Sequence, residues 1–478
     1  MILTSVPSNK RKPGTYIQFD TTSAARGLVP INWNVVLLGN KTSAGTATAL
    51  TTYLVESEGQ ADTLFGIGSE LALSCRASFA AARQYGNSPA IYAVPIADVV
   101  GAAQTRTLTV TGTATATGDI VIAVAGRIIR VGVNTGDVQN TVAASINAAF
   151  NAANAVGNTA LPATSGVATN VATLTARHHG VNGVDMRVQI VENVAGVSIA
   201  LGGTAGTGSY DITAALDTLV DRFYHGIGVA NHTATDVSDF ATHITNMSLP
   251  QTKKWPICVL AETASLSAAN TLSTTANNQQ IVVAAGELFP SMTGEIAAQM
   301  VTTLFAEGDP ALCFDDVPLA LPVPAAADVP TDTEIETALA SGTSILSVNE
   351  NRTLCRIVRY VTTKTTIGTA VFENLLDVTN IKSLIYTAIQ VDAAWQRWKQ
   401  QKENRKASES AAKRLRSVTL NVLRQEEALE ILQNVEAHKG ELLVEKDSIV
   451  KTRFNVAIPA SVIPNLHQVV GVITLFVE

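Results

Sequence analysis

Residues 34–47, NVVLLGNKTSAGTA, carry an apolar strand into a glycine and then Lys41-Thr42, the residue types with which a phosphate cradle begins. Such a cradle curls backbone N–H groups around phosphate oxygens and needs glycine, four residues, then Gly-Lys-Ser/Thr. Here Asn40 separates Gly39 from Lys41, and Val35 stands six residues before Lys41. The cradle cannot close, so Lys41 and Thr42 read as polar residues at a strand exit.

Other reactive side chains fare no better. His178, His179, His225, His232 and His243 lack the i,i+4 spacing of a helical metal pair and read as structural or surface residues. Ser69, in GIGSE, lacks the second glycine of a nucleophile elbow. Asp315 and Asp316 are adjacent, so their side chains diverge and mark a loop start rather than a working carboxylate pair. The four cysteines, Cys75, Cys258, Cys313 and Cys355, form no C-x-x-C pair and read as small buried apolar residues in a reducing compartment. No catalytic residue, metal site or cofactor is expected, and the chain does not read as an enzyme.

One charged feature stands out. QRWKQQKENRKASESAAKRLR, residues 396–416, holds eight Lys/Arg against two Glu, with Trp398 its one aromatic. It suits a solvated helix face or a contact to an acidic protein partner. Nucleic acid is a poor candidate, because the whole chain carries a net charge of −7 and a pI near 5.6.

The elements that would position these residues follow from periodicity. With 478 residues, 46% hydrophobic and only 15% charged, the chain suits several domains whose surface is partly covered by its own copies. The N-terminus shows no signal-peptide core, and no apolar run is long enough to cross a membrane, so a soluble protein made in the cytoplasm is expected. Strands are expected at 35–38, 91–95, 226–230, 256–260 and 280–285, several with helices between them, giving an α/β sandwich around a mainly parallel sheet. A helix is expected over 211–223, capped by Asp211. Between 101 and 205 the texture turns to Thr, Ala, Gly and Val, with six strands and one helix from Val138 to about Ala155, capped by Asp137. That stretch reads as an inserted β-rich domain.

After a Pro/Ala-rich link at 317–332 come a hairpin around Asn349–Arg352, a long helix at about 377–404 and another at about 422–437. The long helix repeats Leu384, Ala388, Val391, Trp395 and Trp398 along one seam. The predicted division is an arm at 1–33, an α/β core at 34–100 and 206–343, the insert at 101–205, and a C-terminal α+β domain at 344–478. Two segments lack partners. TYIQFD (15–20) alternates with Ile17 and Phe19 on one face and Tyr16 on the other, yet no hairpin mate lies nearby. The terminal VVGVITLFV (469–477) is apolar on both faces and is expected to be buried within a sheet.

The ordered set KPGTYIQFDTTSAARGLVPINWNVVLLGNKTSAGTA, ADTLFGIGSELA, IYAVPIADVVGAA, LTARHHGVNGVDMRVQI, RIVRYVTT and IPASVIPNLHQVVGVITLFVE resembles contractile tail sheath proteins of the bacteriophage Mu type. The resemblance spans nearly the whole chain, although residues 399–445 depart from the family pattern with a charged helical stretch. It implies a structural virion protein, assembled in the host bacterial cytoplasm and located in the tail. Subunits would form helical or stacked hexameric rings around an inner tail tube protein, meet baseplate and tail terminator proteins, and contract to drive the tube through the host envelope. Neither nucleic acid binding nor membrane insertion is implied.

In such proteins the N- and C-terminal strands add to the C-terminal domain of neighbours, and the insert faces outward. Here that assigns strand exchange to Tyr16, Ile17, Phe19, Val472, Ile473, Leu475 and Phe476, and an arm hinge to Gly27 and Pro30. Lys399, Lys402, Arg405 and Lys406 of the basic run are the candidate tube contacts. The competing readings are another tail or baseplate protein, or an α/β hydrolase-like enzyme.

Overall fold

The computed structural model describes residues 31–85, 88–155, 160–180, 186–230, 233–368, 370–371 and 374–475. The chain separates into two compact units, Asn32–Tyr386 with the segment from Pro464, and Thr387–Ile463.

The first unit begins with β1 (Asn34–Asn40), β2 (Tyr53–Leu54), α1 (Glu58–Phe65), α2 (Glu70–Ala82) and β3 (Ala90–Ile96). An insert follows: β4 (Ala103–Gly112), β5 (Gly118–Val124), β6 (Arg127–Val133), α3 (Gln139–Ala155), β7 (Ala163–Ala168), β8 (Val171–His179), β9 (Val188–Glu192) and β10 (Val197–Thr204). The main body resumes with α4 (Thr213–Asp217), β11 (Gly226–Val229), α5 (Ala234–Met247), β12 (Ile257–Glu262), α6 (Leu266–Ala276), β13 (Ile281–Ala285) and α7 (Thr293–Ala306). It closes with β14 (Val317–Leu319), α8 (Asp332–Ala340), β15 (Thr343–Val348), β16 (Cys355–Ile357) and a small ribbon of β17 (Thr366–Ile367) and β18 (Ala370–Val371).

Nine strands form one sheet in the order β14-β16-β15-β13-β12-β11-β1-β3-β2. The central six run parallel, with antiparallel strands only at the edges. Every residue of β12, β13 and β15 is buried, as a parallel sheet covered on both faces requires. On one face Phe240 and Ile244 of α5, Leu272 of α6 and Ala338 of α8 pack against Val36, Ile227, Leu260 and Val283. On the other lies α7, whose fourteen residues are all buried. It approaches β11 so closely that a Cβ at Gly226 would stand 2.6 Å from Val301 and 2.7 Å from Phe305. The α/β reading of the core therefore holds, in three layers.

The insert makes two further sheets, β10-β4-β8-β7 and β6-β5-β9, closed by α3 through Val142, Ile146 and Phe150. It is anchored to the body. Ala125 and Ala160 bury against Leu73 and Met292, Arg127 pairs with Glu295 at 2.7 Å, and Arg187 pairs with Asp328 at 2.7 Å.

The second unit contains the last part of α9 (Val378–Gln400), then α10 (Glu409–Ala428), α11 (Val435–His438), β19 (Leu443–Lys446) and β20 (Phe454–Ala457). Val391 and Ala394 pack on Val422, and Leu423 on Leu432 and Val435.

Several expectations need correction. The helix expected over 211–223 is the single turn-and-a-half α4, because the Asp211 carboxylate accepts the Thr213 N–H at 2.8 Å and Ile212 takes the cap position. Asp137 accepts the Asn134 N–H at 2.8 Å instead of serving the start of α3. The helix expected at 422–437 begins at Glu409, where Ser408 caps it, and ends at Ala428, before Glu430 and Asn434 take positive φ angles. Along α9 the buried line is Ile381, Ile385, Val391 and Ala394, while Leu384 and Ala388 are half-buried. The hairpin β15–β16 belongs to the large sheet, and the second compact unit begins at Thr387.

Phe240→Ala empties a site walled by both the sheet and α4. It should cost about 3–5 kcal/mol, read as a lowered urea midpoint by circular dichroism.

Candidate functional site

In doubly wound sheets ligands enter where the strand order reverses, at the carboxyl ends of the strands. That point lies here between β1 and β11, just beyond Asn40, and the protein's own side chains fill it. Glu70, 3% exposed, accepts the Asn40 N–H at 3.0 Å and the Tyr210 hydroxyl at 3.3 Å. The Glu70 N–H, at the start of α2 where a phosphate would sit, donates to His178 Nε2 at 3.0 Å. Lys41 Nζ turns back onto the Gly45 carbonyl at 2.9 Å. A carboxylate thus occupies the anion position, and Lys41 is a loop brace.

The remaining sequence candidates are also engaged structurally. Ser69 caps α2 by accepting the Ala72 N–H at 3.1 Å and is fully buried. Burial pushes His178 and His225 down to about 4, and each accepts a backbone N–H as a neutral ring. His179 pairs with Asp98 at 2.8 Å, His243 is buried in α5, and His232 lies outside the described residues. Asp315 and Asp316 do point apart: Asp316 meets Arg356 at 2.6 Å, and Asp315 meets His467 at 2.5 Å.

That second contact is part of a cluster the sequence does not announce. Cys313 Sγ, an Asp315 oxygen and a His467 ring nitrogen lie within 4.8 Å of one another. The other ring nitrogen, Nε2, faces Asp377 Oδ2 at 3.2 Å, and Asp377 is gripped by Arg359 at 2.9 and 3.0 Å. Neither motif nor spacing links residue 313 to residue 467.

Beyond His467 the chain changes character. Val469, Val470, Val472, Ile473 and Leu475 are 84–100% exposed, and residues 468–475 have no main-chain partner among the described residues. The expected buried strand is therefore not formed among the described residues. Tyr16, Ile17, Phe19, Gly27, Pro30 and Phe476 lie outside the described residues. In the second unit, β19 and β20 pair only with each other among the described residues, leaving an outer edge on each, and Leu443 is half exposed.

The basic run divides by use. Arg414 donates to Asn404 Oδ1 at 2.7 Å, and Arg416 to the Leu442 carbonyl at 2.9 Å, so both knit the unit together. Lys399, Lys402, Arg405 and Lys406 stay exposed around the turn from α9 to α10 and make no ion pair among the described residues. Lys399, Arg405 and Lys406, but not Lys402, line a groove of about 360 Å³ together with Trp395, Trp398 and Phe454.

No protein-family model matches this chain. It is 30% identical over 186 residues to a Mu-like prophage FluMu tail sheath protein of Haemophilus influenzae, an alignment covering 38% of this chain. The chain spans 36% of that relative's length. Among solved structures, the sheath tail protein of Desulfitobacterium hafniense superimposes with a TM-score of 0.51 and 11% identity, covering 94% of this chain and 100% of the other. A sheath tail protein of Listeria innocua gives 0.48 at 13% identity, over 86% and 88%. The expected relationship is borne out: the chain is a homologue of a phage tail sheath protein and has a multidomain α+β fold of the sheath type. Its relatives are structural proteins, as the non-enzymatic reading requires.

Packing of the second unit can be tested at Glu426. Its Oε2 accepts the Thr387 hydroxyl at 2.6 Å, while buried Oε1 has no partner among the described residues, and burial raises its pKa from 4.5 to about 7. The unfolded chain releases this proton near its ordinary value, so the stabilising contribution is full below about pH 4.5 and is lost as pH rises to about 7. Glu426→Gln keeps the acceptor and removes the titration. The variant should melt higher than the parent at pH 8, by roughly 2–4 °C per kcal/mol recovered, and equally at pH 4. Equal melting shifts at both pH values would contradict this.

Proposed function

We propose that this chain is the repeating subunit of a contractile tail sheath, joined to its neighbours by exchange of its terminal strands. The observation that carries the reading is the segment Val469–Leu475, apolar, exposed and without main-chain partners among the described residues, in a homologue of a tail sheath protein. An apolar strand in water leaves both its side chains and its amide groups unsatisfied, so it completes itself on a sheet edge. The edges of β19–β20 supply such acceptors on another copy.

Each exchanged strand of about five residues gains several main-chain hydrogen bonds worth roughly 1 kcal/mol net apiece. Burying Ile473, Leu475 and Phe476 adds roughly 1.5–3 kcal/mol per side chain. At the other end, Tyr16, Ile17 and Phe19 form the second exchanged strand. The linker from Thr21 to Ile31 spans roughly 35 Å when extended, with Gly27 and Pro30 as its hinges. Subunit bodies then rotate and slide during contraction while the strand mesh stays paired. The energy is stored at assembly, in an extended lattice with fewer body contacts than the short one, so firing needs no nucleotide.

The exposed cations Lys399, Lys402, Arg405 and Lys406 face an acidic surface of the inner tube protein. The insert faces outward, and baseplate and terminator proteins close the two ends. The assembled particle belongs to the virion tail, built in the host cytoplasm.

The purified full chain should form hollow, wide-bore cylinders in negative stain. Deleting residues 1–20, or 469–478, should leave a folded chain that forms no cylinders. Normal cylinders from either truncation refute strand exchange, and a small discrete oligomer from the full chain refutes the sheath itself. Reversing Lys402, Arg405 and Lys406 to Glu should leave cylinders intact and abolish co-assembly with tube. Retained tube binding would remove these residues from that role.

A further inference from the structure

His467 lies between two carboxylates. A neutral imidazole carries one N–H and can donate in one direction only. The Nε2 side faces Asp377, which Arg359 holds by two hydrogen bonds, so the ring proton belongs there. That leaves the Nδ1 lone pair aimed at Asp315 Oδ2, 2.5 Å away, and at Cys313 Sγ, 3.9 Å away. Three potential metal ligands converge there, and the Cys313 thiol carries a proton that a metal can displace. A second ring proton or a bound cation would satisfy the facing Nδ1 and Asp315 Oδ2.

The surroundings favour a cation. A histidine that gives one nitrogen to a metal and its other N–H to a fixed carboxylate is the usual outer arrangement of zinc-class sites. Asp377 and Arg359 form that outer layer here. Cys313 and Asp315, two apart in the loop before β14, bring their ligand atoms to one point. Their loop is rigid: Phe314 between them is 2% exposed, stacks edge-on against Tyr360 at 5.7 Å and lies under the Lys382 ammonium at 5.4 Å. The Pro310 carbonyl is held by Ser383 at 3.2 Å. The ligand side chains are only partly exposed, His467 by 22% and Asp315 by 25%, which admits an ion while limiting competing water.

We propose that Cys313 Sγ, the Asp315 carboxylate and His467 Nδ1 form a three-ligand site for a divalent transition-metal ion of the zinc class, with solvent as fourth ligand. Donors at about 2.0–2.3 Å from a tetrahedral ion lie roughly 3.3–3.7 Å from each other. The Cys313–His467 separation closes by roughly a few tenths of an ångström, and the Asp315 carboxylate swings out by about an ångström as the ion replaces its hydrogen bond. Binding converts the Cys313 thiol to a metal-bound thiolate, its proton leaving to solvent, so affinity rises with pH. Burial otherwise holds that thiol up at about 11. The ion clasps the root of the terminal segment to the body, linking residues 313 and 467 and fixing where the exposed tail leaves.

The test is Co²⁺ titration of the full chain after chelator treatment. One equivalent should bind, with near-ultraviolet thiolate-to-cobalt absorption and visible bands of a tetrahedral centre. Cys313→Ser should abolish the near-ultraviolet band although Cys75, Cys258 and Cys355 remain, all three buried. His467→Gln, on the tail and away from the ligand loop, should weaken binding at least tenfold. Asp377→Asn should keep the spectrum and weaken binding about ten- to hundredfold. No thiolate band in the parent chain, a band retained in Cys313→Ser, or unchanged affinity in His467→Gln would each overturn the site. None of these outcomes depends on whether the chain forms cylinders.

Discussion

A polypeptide segment with apolar side chains and unpaired amide groups is unstable in water, and among the described residues the segment from Val469 to Leu475 is one. Val469, Val470, Val472, Ile473 and Leu475 are exposed in the single molecule. In the body, by contrast, whole strands and all of α7 are sealed from solvent. The imbalance lies between a satisfied interior and an unsatisfied end. Self-association through the end, rather than chemistry in the interior, is the solution the proposed sheath adopts.

The body has the properties of a rigid platform. Its parallel sheet resembles those that bind nucleotides, yet Glu70 and Tyr210 close the crevice where a phosphate would lie. The same region couples the insert to the sheet, because His178 of the insert accepts the Glu70 N–H. The Arg127–Glu295 and Arg187–Asp328 pairs, each partly buried, fix the insert further. Forces applied to such a unit pass through packed side chains instead of being absorbed by an empty cleft. In the proposed lattice, compliance therefore belongs to the linkers that carry the exchanged strands.

Much of this was legible because burial leaves strong periodic signals. The strands expected at 256–260 and 280–285 are β12 and β13, both fully buried. The lack of a second glycine before Lys41 ruled out a phosphate cradle, and Lys41 indeed braces its own loop. Where local rivals were close in energy the reading slipped. Asp211 looked like a cap for a long helix, but its side chain satisfies the nearer Thr213 N–H and the helix is short. Strand β7, ATSGVA, has little apolar contrast and was invisible. The terminal VVGVITLFV has the composition of a core strand, and composition cannot say whether the core belongs to the same molecule. The Cys313–Asp315–His467 cluster was beyond reach because its members meet only through the tertiary fold.

A cryo-electron microscopy reconstruction of the assembled cylinder, at a resolution that traces main chain, tests the central claim most directly. The account predicts that residues 469–475 of each copy hydrogen-bond as a strand to a sheet in the second unit of a different copy. A map in which those residues pair with their own chain, or remain unpaired in the assembled wall, would contradict it.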